Sequence, residues 1–185
     1  MDFNEILNRV SEITNSYLPG VLLLALAAVL SIRAMRQKNG KLKRLIADNR
    51  FRDAKPFFSE IKSPMLISPD GCIGIVMDNV SAPVAADIRE LKKVTVTSND
   101  NKIAETDEDD PRGFLFTGIA SGAAFGLKQK TKRLNLILSR ADGQVLNIPL
   151  FTSTLRKAVE LSDAKQTAIK QLLETLEEVE KSVKL

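Results

Sequence analysis

Five acids crowd into six positions, Glu105, Asp107, Glu108, Asp109 and Asp110. Oxygen-rich clusters of this kind are what hard divalent cations select. The spacing lacks the glycine at the sixth and the glutamate at the twelfth position of a calcium loop, so a solvated acidic loop is expected and no metal is assigned. The next candidate is glycine. After Pro111-Arg112-Gly113 comes an uncharged run, Phe114 to Leu127, in which Gly118, Gly122 and Gly126 recur at every fourth position. On a helix these three form a smooth stripe that another backbone can approach closely. They do not make a phosphate-binding loop, because Leu127-Lys128 follows where a Lys-Ser/Thr pair is needed to supply the charge and the metal-bound hydroxyl.

The remaining chemistry is limited by what is missing. The chain has no histidine, no tryptophan and one cysteine, Cys72. A histidine-based zinc site, a Ser-His-Asp triad, a Cys-His nucleophile and a disulfide framework are therefore excluded. No Gly-x-Ser-x-Gly elbow is present. No catalytic residue, cofactor or metal ligand is assigned, and the expectation is a protein that is not an enzyme, with no small-molecule substrate.

The net charge of +4 invites a nucleic-acid reading, and its location argues against one. Residues 1–32 hold three acids and one base, residues 33–50 seven bases and one acid, and residues 51–185 nineteen of each. A nucleic-acid binder carries its excess on the folded domain, which here is neutral.

The basic block follows the strongest signal in the chain. From Ile13 to Ile32 no side chain is charged, and twenty helical residues span about 30 Å, the thickness of a bilayer's hydrocarbon core. A transmembrane anchor is expected over residues 17–38, with Leu18, Val21, Leu22, Leu23, Leu24, Leu26, Val29, Leu30 and Ile32 facing lipid. Pro19 is expected in its first turn, and Asn39-Gly40 as its stop. The flanks do not suit a signal peptide, since the residues before the run are net acidic and the basic cluster comes after it. Arg33, Arg36, Lys38, Lys41, Lys43 and Arg44 are expected at anionic headgroups. The positive-inside rule then puts residues 33–185 in the cytoplasm and the N-terminus outside.

Phe3, Ile6, Leu7, Val10, Ile13 and Tyr17 recur at helical spacing. Residues 1–16 are thus either an amphipathic helix on the outer leaflet or the start of the spanning helix. Residues 39–59 read as a basic juxtamembrane linker.

From about Pro64 the texture changes to short strands and turns. Met65–Ser68 and Cys72–Met77 flank Pro69-Asp70-Gly71; Val94–Thr97 and Lys102–Glu105 flank Ser98–Asn101; Arg133–Arg140 turns at Ala141–Gln144 and returns as Val145–Phe151. Each reads as a hairpin, and Pro149 assigns the last strand to an edge. Thr154–Leu161 suggests a helical turn or two. From Ser162-Asp163, the residues Ile169, Leu172, Leu173, Leu176, Val179 and Val183 fall on one helical stripe, suited to core packing. The 114–127 run has three readings. It is too short to span at about 21 Å. That leaves an interfacial helix or a glycine-rich element packed inside the domain.

The segment Val84-Ala-Ala-Asp-Ile-Arg-Glu-Leu91, the Leu134–Leu150 hairpin ending in Asn147-Ile-Pro-Leu150, and the terminal helix together resemble uncharacterised bacterial and prophage single-pass membrane proteins with a cytoplasmic pleckstrin-homology-like domain. The likeness covers roughly residues 60–183, and Leu91 stands where that pattern often has tryptophan. It implies an α+β fold: an N-terminal transmembrane helix, then a small antiparallel β roll or barrel with a C-terminal packing helix. It also implies a bacterial inner-membrane location and a binding or scaffolding role for residues 60–185, toward a lipid headgroup or a protein, but no catalytic residue. The competing expectation is a membrane-active protein that self-associates through the glycines of 114–127.

Overall fold

The computed structural model describes residues 3–78, 80–107, 109, 114–155 and 157–184, with side chains from residue 23 onward except at 125. The chain divides into two compact units, Met1–Gly40 and Lys41–Leu185. The first is the N-terminal part of helix α1, Phe3–Ile46. The helix begins well before Pro19, so the proline lies inside it rather than in its first turn and costs one backbone hydrogen bond there. Nor does Asn39-Gly40 stop it. A turn later Leu45 is 3% exposed and Lys41 5%, and their packing overrides the weak helix propensity of glycine.

The second unit is α+β. Among the described residues, two four-stranded antiparallel sheets are ordered β1-β2-β3-β4 and β6-β5-β7-β8. The first contains β1 (Lys55–Phe57), β2 (Met65–Ile67), β3 (Cys72–Ile75) and β4 (Val84–Asp87). Its central strands β2 and β3 read as continuous apolar runs because both faces are covered. Met65, Ile67, Ile73 and Ile75 enter the main core. Leu66 and Val76 face a second cluster with Leu45 and Phe51. Gly74 makes that second layer possible: a Cβ there would stand 2.6 Å from Leu45 Cδ1 and 2.8 Å from Phe51 Cζ. The segment expected as a linker is therefore part of the domain from Lys41 onward.

The second sheet contains β5 (Leu91–Ser98), β6 (Asn101–Asp107), β7 (Arg133–Arg140) and β8 (Val145–Thr152). Its inner face alternates in the half-buried manner: Val94, Val96, Leu134, Leu136, Leu138 and Ile148 are fully buried. Asn99 and Asp100 make the two-residue β5–β6 turn with φ of 51° and 67°, the left-handed pair that asparagine and aspartate tolerate best. Pro149 lies in β8, an edge strand, beside a break in register between Leu134 and Asn135. The carbonyls of Pro149 and Leu150 accept the N–H groups of Ser63 and Lys62 at 3.2 and 2.9 Å.

Two helices close the domain. In α3, Asp163–Lys184, the residues Ile169, Leu172, Leu173 and Leu176 are buried, and they join the core shared by both sheets. Helix α2, Ile119–Leu127, packs on β6 and α3. The stretch before α3 is not helical. Among its described residues it makes bends at 154, 155 and 157, and Val159 exchanges backbone hydrogen bonds with Thr131 at 2.8 and 3.1 Å.

Candidate functional site

Two surfaces have properties that the fold alone does not need. The first is on α1. Leu23, Leu24, Leu26, Val29, Leu30, Ile32 and Met35 are each 53–74% exposed. At about 100° per residue they are spread around the whole helix rather than along one stripe. Leu18, Val21 and Leu22 lie outside the residues with described side chains. Among the described residues, no helix is long and apolar enough to cross a membrane.

The basic residues that follow do not form one set. Arg33, Arg36, Lys43 and Arg44 are exposed and Lys38 is half-buried. Lys41, expected at the headgroups, is instead buried, and its Nζ donates to the Met77 carbonyl at 3.0 Å. Its ammonium is committed inside the domain.

The glycine stripe also divides. Gly118 precedes α2 in a left-handed conformation, φ 77°, where glycine meets no Cβ penalty. Gly122 and Gly126 lie in the helix against β6: a Cβ on Gly122 would be 3.2 Å from Ala104 Cβ, and one on Gly126 only 2.5 Å from Ile103 Cδ1. Ala120, Ala123 and Leu127 enter the main core. The approach segment is held by a residue that the apolar stripe of α3 passes over. Glu180 is fully buried and accepts the N–H groups of Leu115 and Phe116 at 2.8 and 2.7 Å. Lys184 Nζ donates to it at 2.7 Å, and Thr106 Oγ1 donates to the Leu115 carbonyl. An acid four residues after Leu176 and seven after Leu173, in the register of the stripe, was the signal for this role.

Of the acidic run, Glu108 and Asp110 lie outside the described residues. Glu105 is engaged along the sheet, accepting from Lys102 Nζ at 2.6 Å and Thr95 Oγ1 at 3.1 Å, with Lys93 Nζ at 3.1 Å. The Lys102 hydrogen bond, reinforced by Lys93 and Thr95 against a burial cost, holds its carboxyl below the usual range. Among the described residues, no group of three or more His, Cys, Asp or Glu side chains is arranged to hold a metal. The Cys72 thiol is half-buried and its pKa is raised, chiefly by burial.

The second surface is a pair of adjoining depressions at one end of the second sheet. One, of about 390 Å³, is lined by Asn99, Asp100, Lys132, Arg133 and Ala158. The other, of about 490 Å³, shares Asp100 and Arg133 and adds Asp78, Asn135, Asn147 and Thr152, with Lys62 and Pro149 completing the wall. Each falls within the usual range for small-molecule clefts, about 300–1,000 Å³.

Asn99 fixes this corner. Its N–H donates to the Arg133 carbonyl at 2.9 Å, its Oδ1 accepts from the backbone N–H groups of Lys132 and Arg133 at 2.6 and 3.3 Å, and its Nδ2 donates to the Lys130 carbonyl at 3.1 Å. Beneath it, the buried hydroxyls of Ser98 and Thr131 bond at 2.8 Å. Sequence reasoning found Asn99 and Asp100 in a hairpin turn and Arg133 at the start of a strand. Nothing in the spacing showed that the 32 residues between Asp100 and Arg133 fold back to join them. Comparison with protein-family models, characterised proteins and solved structures found no match for this chain.

Proposed function

We propose that this is a single-pass membrane protein that works by binding rather than catalysis, with its N-terminus outside and residues 33–185 in the bacterial cytoplasm. Its α+β domain, taken here as a pleckstrin-homology-like roll, scaffolds a lipid headgroup or a protein partner. The observation that carries the anchor is the circumferential exposure of large apolar side chains from Leu23 to Met35. A partner protein on one side of α1 would leave half of them in water, whereas a bilayer surrounds them all. Arg33 and Arg36 follow at the position where the positive-inside rule sets orientation. The domain assignment rests on the resemblance in sequence together with two antiparallel sheets and a packing C-terminal helix. Self-association through the glycines of 114–127 has less support, because Gly122 and Gly126 are already in contact with β6.

Alkaline extraction of membranes from cells making the full chain tests this directly. The protein should stay in the pellet, and a tag after Leu185 should be reached by protease only once the inner membrane is opened. Release into the supernatant, or a tag cleaved in intact spheroplasts, would overturn the reading.

A further inference from the structure

We propose that the cleft between the β5–β6 turn and the start of β7 binds a small zwitterion, a phosphate ester carrying a primary ammonium group. The phosphate sits on Lys132 and Arg133, and the ammonium faces Asp78 and Asp100. This rests on the binding role proposed above and names the chemistry of its ligand.

The first argument is the charges themselves. Asp100 and Arg133 line both depressions, with Lys132 in one and Asp78 in the other. Elsewhere on the domain, neighbouring opposite charges pair directly: Arg89 with Asp87 at 2.9 Å, Lys102 with Glu105 at 2.6 Å, Lys181 with Glu177 at 2.7 Å. Among the described residues, Asp78, Asp100, Lys132 and Arg133 form no ion pair. Opposite charges that share a cleft without touching leave room for a ligand presenting the complementary pair.

Rigidity is the second argument. Asn99 ties the Lys132 and Arg133 backbone to the β5–β6 turn that carries Asp100. Cation and anion therefore sit on one braced corner, and little ordering remains to be done on binding.

Ligand chemistry follows from the donors. Adjacent guanidinium and ammonium groups suit a phosphate, which has enough oxygens for a bidentate arginine and a lysine together. Asn135 and Asn147 add amide donors on the neighbouring wall. A planar carboxylate presents its lone pairs in one plane, which suits the arginine fork, while a tetrahedral phosphate also offers oxygens out of that plane to the lysine. At the other pole, aspartates accept hydrogen bonds from a primary ammonium and cannot do so from a trimethylammonium. Quaternary ammonium is held instead by aromatic faces, and among the described residues neither depression is lined by an aromatic side chain. Phosphoethanolamine has this chemistry, either free or as a membrane headgroup.

The test uses the full chain in nonionic detergent micelles, titrated with O-phosphoethanolamine while backbone amides of residues 98–102 and 130–135 are followed by NMR. Saturable binding is expected, at least tenfold tighter than for inorganic phosphate, ethanolamine, glycine or phosphocholine. Arg133→Gln should weaken it at least tenfold. Asp100→Asn, which keeps a residue that accepts positive φ, should reduce phosphoethanolamine to the affinity of phosphate. Nanodiscs containing phosphatidylethanolamine separate the two sources. Competition with the soluble ligand identifies the headgroup as occupant, and its absence identifies a free phosphate ester. No saturable shift, or phosphate or phosphocholine within twofold of phosphoethanolamine, would overturn the proposal. Either result leaves membrane extraction unchanged, so failure here is distinct from failure of the anchor.

Discussion

Two stretches of this chain are alike in composition and opposite in environment. Residues 23–32 of α1 and residues 119–127 of α2 are both helical, uncharged and rich in alanine. In α1 the leucines project into surroundings that the protein does not supply. In α2, Ala120, Ala123 and Leu127 are 6%, 0% and 3% exposed. What separates them is the size of the side chains and where they point. α1 presents leucine, valine, isoleucine or methionine on every side, so no single protein surface could cover it. Among the described side chains of α2, Ile119, Ala120, Ala123 and Leu127 enter the core, and Gly122 and Gly126 lie where β6 approaches, which fits a small helix lying across a sheet. Apolarity alone does not tell a helix built for the core from the anchor proposed above; its distribution around the helix is what separates the two.

Inserting one charge into each helix tests that contrast, and the largest effect is expected here. Ala123→Asp places an unpaired carboxylate in the core and should cost the domain about 3–5 kcal/mol, read as a drop in the urea midpoint. Leu26→Asp should leave that midpoint unchanged. Its cost, about 2.5–3.5 kcal/mol, should appear instead as a shift of the protein from membrane to supernatant. If Leu26→Asp unfolded the domain and kept the chain in the membrane fraction, the two environments would have been assigned the wrong way round.

A finer test uses the glycines. Gly126→Ala puts a methyl 2.5 Å from Ile103 Cδ1 and should destabilise the domain by about 1–3 kcal/mol, the ordinary cost of overpacking. Gly122→Ala meets Ala104 Cβ at 3.2 Å, a milder contact offset by up to ~1 kcal/mol of gained helix propensity. It should be close to neutral. Truncating Ile103 to Val should recover part of the Gly126→Ala loss and none of any Gly122→Ala loss, measured as a double-mutant cycle.

The legible part of this fold was local. Alternation and turn residues located β2 and β3, β5 and β6, and β7 and β8, and the stripe from Ile169 to Leu176 located the buried face of α3, because period and turn chemistry are set by neighbours in sequence. The junction near Lys41 was not legible. Its basic surface residues conceal that Leu45 and Phe51 seat over Gly74, a contact fixed by the sheet and not by the segment. The cleft was hidden for the same reason: Asn99 meets Lys132 and Arg133 only through the pairing of Ser98 with Leu134 across β5 and β7. Glu180 sits in the register of the α3 stripe, but its partners, the backbone N–H groups of Leu115 and Phe116, lie far away in sequence and are joined to it only by the fold.

The smallest effect lies on β6, the strand against which α2 rests, and it depends on pH. Glu105 joins β6 to β5 through Lys93 and Thr95 and braces its own strand through Lys102. The Lys102 hydrogen bond leads the interactions that lower its folded-state pKa. The carboxylate is thus favoured by folding, and its contribution is complete above the unfolded value of about 4.3. It is lost as pH falls from there through the lower folded value. Because the glutamate is partly exposed, the whole effect should stay below about 1 kcal/mol and shrink with added salt. Urea titrations from pH 6 to pH 3 should therefore show a shallower loss of stability in Glu105→Gln than in the wild type. The difference should close at low pH, where the wild-type carboxyl is itself neutral. Extraction of α1 from membranes should not change with either variant, since no acid lies between Ile13 and Ile32. A Glu105→Gln variant with the same acid slope as the wild type would mean that β6, and with it the seat of α2, is held by packing alone.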